Sequence, residues 1–130
     1  MPRVAAAFFA LGVVHLFLGM VWGMQMGGSE DFTMMPAHAH LNLLGWVCMA
    51  LYGTFYALTH ASLKPRLAWI NFGLAALGVA LMIPSLALYL GSHDAKYIGG
   101  LIAGEIATLS SLLVFAVSVF RELLRPRLPH

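Results

Sequence analysis

Apolar positions in this chain fall into four long runs rather than the short periodic patches of a water-soluble core. They extend from about Val4 to Met26, Pro36 to Thr59, Leu67 to Leu90 and Tyr97 to Phe120. Each run is close to the roughly 20 residues that a helix needs to cross a hydrocarbon core of about 30 Å. The alternation that barrel strands require is missing, and a backbone exposed to lipid must satisfy its own hydrogen bonds, so the pattern predicts helices. The expected fold is all-α: an integral membrane four-helix bundle forming a single domain over residues 1–130.

Composition agrees, with 61% of residues hydrophobic and only 9% charged, a balance far from that of soluble domains. The first run follows Arg3 as a signal peptide would. It is longer than a signal h-region and no A-x-A-like site follows it, so it is expected to stay in the mature chain as a helix. Lys and Arg then set the orientation. Arg3, the pair Lys64 and Arg66, and the group Arg121, Arg125 and Arg127 share one face, against Lys96 alone on the other. The positive-inside rule puts both termini in the cytoplasm. The net charge of +2 then serves as an orientation and lipid-headgroup signal, and no nucleic-acid-binding motif accompanies it.

Cys48 is the one cysteine, which excludes an intramolecular disulfide and c-type haem attachment. Pro84 is expected to kink the third helix or end its regular part, with Ser85 near the freed carbonyl. Gly19-x-x-x-Gly23 and Gly100-x-x-x-Gly104 would let helices approach closely. No nucleophile–base arrangement or phosphate loop is present, so an independent enzyme is the least supported class.

Ionisable groups inside a bilayer cost several kcal/mol unless paired or hydrated, which singles out His15 and Glu105. At about 1.5 Å per residue they lie roughly 16 Å and 12 Å below the outer helix ends. They could meet within one bundle or across a subunit contact, either as a structural pair or as a proton-relay or haem-propionate site. Nearer the outer face stand His38, His40 and His93, with Met24, Met26, Met34 and Met35. Imidazole is the commonest protein metal ligand and thioether sulfur favours Cu(I), although methionine is also ordinary apolar filler. On a helix His38, Asn42, Gly45 and Met49 share a face, while His40 is turned from His38 by about 200°. A porphyrin against this helix would need one imidazole as axial ligand and small residues, such as Gly45 and Gly53, where its edge passes.

The stretch HAHLNLLGWVCMALYGTFY, residues 38–56, resembles the second transmembrane helix of haem–copper oxidase subunit I, especially cbb3-type oxidases and nitric oxide reductases. Its His-Ala-His start is also similar to that of the haem- and copper-containing NnrS membrane proteins. The resemblance implies a haem b with a helix-2 histidine as axial ligand near the outer surface. Matching Ala50-Leu51-Tyr52-Gly53 assigns that role to His38; matching His-x-Asn assigns it to His40, followed by Asn42. The helices that carry the oxidase copper ligands have no counterpart among four, so oxygen reduction by this chain alone is not expected.

The expected function is therefore electron transfer or O2/NO sensing by a b-type haem protein, with copper a possible further ligand, in a membrane expected to be the bacterial inner membrane. His15 lies too deep to be the second axial ligand, which leaves His93 or the helix-2 histidine of a second copy. The expected partners are the lipid bilayer and either a homo-oligomer or a larger respiratory complex, with no nucleic acid. Two other classes stay open: a Cu(I)-handling protein using the outer Met and His residues, and a structural accessory subunit packing through its GxxxG faces.

Overall fold

The structure is a computed structural model that describes residues 1–126; Arg127, one of the cations that predict the orientation, lies outside the described residues. Four helices long and apolar enough to cross a membrane account for nearly all of it. They are α1 (Arg3–Ser29), α2 (Met35–Leu58), α3 (Pro65–Ser92) and α4 (Ile98–Leu123), the last preceded by a 3-10 turn at Ala95–Tyr97. No strand occurs among the described residues. The observed limits extend the apolar runs by up to three residues at most ends, because a helix continues through the interface until a turn residue stops it.

Those stops have local causes. Pro36 and Pro65 sit in the first turns of α2 and α3, where the missing N–H leaves no bond unmade. Helices α1 and α3 end on left-handed residues, Glu30 with φ 55° and His93 with φ 54°, the usual conformation of a helix C-terminus. Asp31 then accepts hydrogen bonds from the Thr33 N–H at 3.0 Å and the Thr33 hydroxyl at 2.7 Å. Asp94 accepts from the Lys96 N–H at 2.9 Å and so opens the 3-10 turn. Pro84 does not end α3, which continues through it to Ser92. The Ser85 hydroxyl lies against Gly100.

Consecutive helices run antiparallel, so the chain has a basic end, with Arg3, Lys64, Arg66, Arg121 and Arg125, and an acidic end, with Glu30, Asp31 and Asp94. An aromatic cluster draws on all four helices. Phe8 of α1 stands 5.1 Å from Phe72 of α3 and 5.8 Å from Tyr56 of α2, and Tyr52 of α2 stands 4.4 Å from Phe115 of α4, centroid to centroid. Edge-to-face and offset contacts in this range add about 0.5–1.5 kcal/mol per pair to area burial. The outward surface is apolar as well, with Phe17, Leu51, Ile70, Leu77 and Leu113 exposed. That surface suits a hydrocarbon solvent and not water.

Both GxxxG motifs are used inside the chain. Gly19 and Gly23 receive Asn42 and His38 of α2, while Gly100 and Gly104 receive Ser85 and the backbone of Met82 in α3. These motifs therefore do not argue for a subunit contact.

Candidate functional site

The histidines of α2 sit on a helix that changes its winding beneath them. Residues Met35–Asn42 are α-helical, Leu43–Cys48 form a π-helical segment, and Met49–Leu58 return to α. Such wide turns are rare and concentrate at functional sites. The His15 ring of α1 reaches this segment, its Nδ1–H donating to the Gly45 carbonyl at 3.0 Å. In lipid every backbone acceptor needs a donor, and here a side chain of the neighbouring helix supplies one.

Along the α1–α2 seam small residues of one helix face large ones of the other. The His38 ring lies over Gly23, where a Cβ would come 3.0 Å from Cε1; Asn42 fills the space beside Gly19; and the His15 ring fills that beside Gly45, 2.9 Å from where a Cβ would stand. Gly53 is closed in the same way by Ala5, Phe8 and Phe9. The room that Gly45 and Gly53 were expected to give a porphyrin edge is thus taken by α1.

His38 and Asn42 touch, amide Nδ2 to imidazole Nε2, at 3.3 Å. Their other polar atoms, His38 Nδ1 and Asn42 Oδ1, are buried without partners. With the amide donating to Nε2, a neutral His38 carries its proton on Nδ1, where nothing accepts it. This is an unsatisfied buried group of the kind that usually marks strain or a missing ligand. The ring is half-buried, however, and packs on Gly23 of α1, which closes that side of it to a porphyrin. Neither ring nitrogen of His38 is both exposed and free in this packing, since Nε2 meets the Asn42 amide and Nδ1 is buried.

His40 differs in each respect. It is exposed, and its Nδ1–H donates to the Pro36 carbonyl at 2.7 Å. That bond fixes the tautomer and leaves Nε2 as an outward-facing lone pair, which is how metal-ligating histidines are commonly held. Beneath it along α2 runs an exposed apolar stripe of Leu43, Val47, Leu51 and Leu58. The donor chemistry and the free surface fit an axial haem ligand.

The remaining candidates are dispersed. His93 is exposed at the end of α3, its ring 6.0 Å from that of Tyr89. Among the described residues no three His, Cys, Asp or Glu side chains gather to hold a metal ion, so His38, His40 and His93 do not form one site within the chain. Of the methionines, Met26 is buried, Met24 and Met35 are exposed, and Met34 lies against Gly91. Glu105 is exposed on α4 between exposed Ile102 and Ile106. His15 bonds to Gly45 instead, and the two are not paired within one bundle.

A polar network that the sequence did not single out lies deeper. The Asn71 amide donates to the Tyr56 hydroxyl at 3.1 Å, the Ser111 hydroxyl donates to Asn71 Oδ1 at 2.6 Å, and the Tyr56 and Ser118 hydroxyls stand 3.3 Å apart. Asn71 is 0% exposed and Ser111 1%. The available signal was Asn71, the one amide in its apolar run, together with two serines seven residues apart, which share a helix face. Together these four side chains tie α2, α3 and α4 in the half of the bundle nearer its basic end. No protein-family model, no curated protein and no solved structure matches the chain, so the helix-2 resemblance rests on its own residues.

Proposed function

We propose that the chain is a small b-type haem-binding membrane protein, related through α2 to haem–copper oxidase subunit I, which carries electrons or senses a gaseous haem ligand. The observation that carries this reading is His40: an exposed imidazole whose Nδ1 is held by the Pro36 carbonyl at 2.7 Å, leaving Nε2 free. A second copy would supply the other axial imidazole, with His40 of each chain at the same depth. Haem b bound there would supply one-electron chemistry; two imidazole ligands would suit low-spin electron transfer, whereas sensing a gas would require one of them to leave the iron.

Glu105 supports assembly. An ionisable side chain on a lipid-facing surface costs roughly 2.5–3.5 kcal/mol at mid-membrane on insertion scales, and such groups ordinarily face other protein or water. Its exposure in the single chain therefore suits a face covered by a second copy. The basic end faces the cytoplasm in this reading, which puts His40 near the outer surface of an inner membrane.

Detergent-purified protein, assayed by absorption spectroscopy, pyridine haemochrome and metal analysis, is expected to contain haem b. A preparation that is colourless and stays so after haem is added removes this reading.

A further inference from the structure

The basic end of the bundle holds a cleft of about 520 Å3, between the end of α2, the start of α3 and the end of α4. Lys64, Arg121 and Arg125 line it, with Glu122 as its single carboxylate among the described residues. Glu122 is already engaged, since its carboxylate accepts from the Ser62 hydroxyl and stands 3.7 Å from the Arg125 guanidinium. Lys64 and Arg121 have no such partner among the described residues. The rest of the lining is of another kind: Phe55, Leu63 and Leu67 are apolar, and Tyr56 and Ser118 are hydroxyl-bearing.

From this combination we infer that the cleft binds the phosphate headgroup of an anionic phospholipid, with Lys64 and Arg121 on the phosphate and the acyl chain against the apolar wall. Cations at the mouth call for an anion, and basic pockets between transmembrane helices are established places for anionic headgroups. Free phosphate would satisfy the cations but not the apolar wall. An amphiphile satisfies both, and the cleft opens at the level where membrane headgroups lie. The flexible stems of Lys and Arg can follow the acyl chain while their charged ends stay in the polar layer. This inference requires only that the helices span a membrane; it does not depend on the haem reading.

The test is native mass spectrometry of the full chain in detergent with added phosphatidylglycerol or phosphatidylcholine. Retention of phosphatidylglycerol well above phosphatidylcholine is expected in the wild type. The double variant Lys64→Gln/Arg121→Gln should lower that preference by about tenfold or more, because each cation near an anionic surface contributes separately. Arg3→Gln/Arg66→Gln changes the net charge equally but removes residues that do not line the cleft, and it should keep the preference. Both variants alter exposed side chains, and circular dichroism reports whether each stays helical. Equal retention of the two lipids, an equal loss in both double variants, or displacement of the lipid by millimolar inorganic phosphate would each overturn the inference.

Discussion

Asn42 occupies the space beside Gly19 so fully that a Cβ on Gly19 would overlap its amide oxygen. A methyl group there must push Asn42 away from His38 or part α1 from α2. Gly19→Ala is therefore expected to destabilise the bundle by roughly 1–3 kcal/mol, the usual cost of overpacking. Gly104→Ala should be at least as damaging, because the obstacle is the Met82 backbone, whose nitrogen lies 2.5 Å from the added atom. Gly99→Ala, with nothing within 4 Å, should be neutral or gain up to about 1 kcal/mol of helix propensity. Thermal unfolding in detergent followed by circular dichroism ranks the three, and a Gly19→Ala protein as stable as Gly99→Ala would refute this account of the seam.

The buried network predicts a measurable coupling. Asn71 and Ser111 bond directly at 2.6 Å, so Asn71→Ala, Ser111→Ala and the double variant form a cycle. Interhelical hydrogen bonds in membranes couple by about 0.6 kcal/mol on average and up to about 1.7 kcal/mol. A value in the upper half of that range is expected, since Asn71 also holds Tyr56. Strict additivity would mean that the contact contributes nothing.

In the turn between α1 and α2, the Thr33 hydroxyl and then the Thr33 N–H hold the Asp31 carboxyl below its usual range. A carboxyl whose value is lowered on folding adds stability that is complete above its unfolded value and is lost as pH falls through the folded one. Thr33→Val should raise the Asp31 titration, followed by NMR of its carboxyl carbon, towards that of an ordinary aspartate. An unchanged titration would show that the hydroxyl does not act on Asp31.

Orientation is tested by thiol labelling of intact cells in a Cys48→Ser background. Ser92 lies at the acidic end and Ala61 at the basic end, both exposed. Ser92→Cys should react with an impermeant reagent added outside, and Ala61→Cys should not. The opposite pattern reverses the topology.

The helices were legible in the sequence because in lipid the length of an apolar run sets the length of the element. The shared face of His38, Asn42 and Gly45 was legible too, because helical spacing fixes it. Other features left no such mark. The π-helical turn at Leu43–Cys48 has no distinctive composition. His15 was matched with Glu105 because a search among side chains overlooks backbone acceptors such as the Gly45 carbonyl. The Tyr56–Asn71–Ser111 contacts depend on which helices become neighbours, and that is decided by packing across the bundle. His38 and His40, two positions apart, could be told apart only once one was seen half-buried against Gly23 and the other exposed.

The most direct test of the haem assignment is the haem content of purified protein, measured as haem per chain alongside the Soret band of the wild type, His40→Ala and His38→Ala. The account predicts one haem for two chains, a band abolished by His40→Ala, and a band retained in His38→Ala. One haem per chain, or a band lost with His38 and kept without His40, would contradict it.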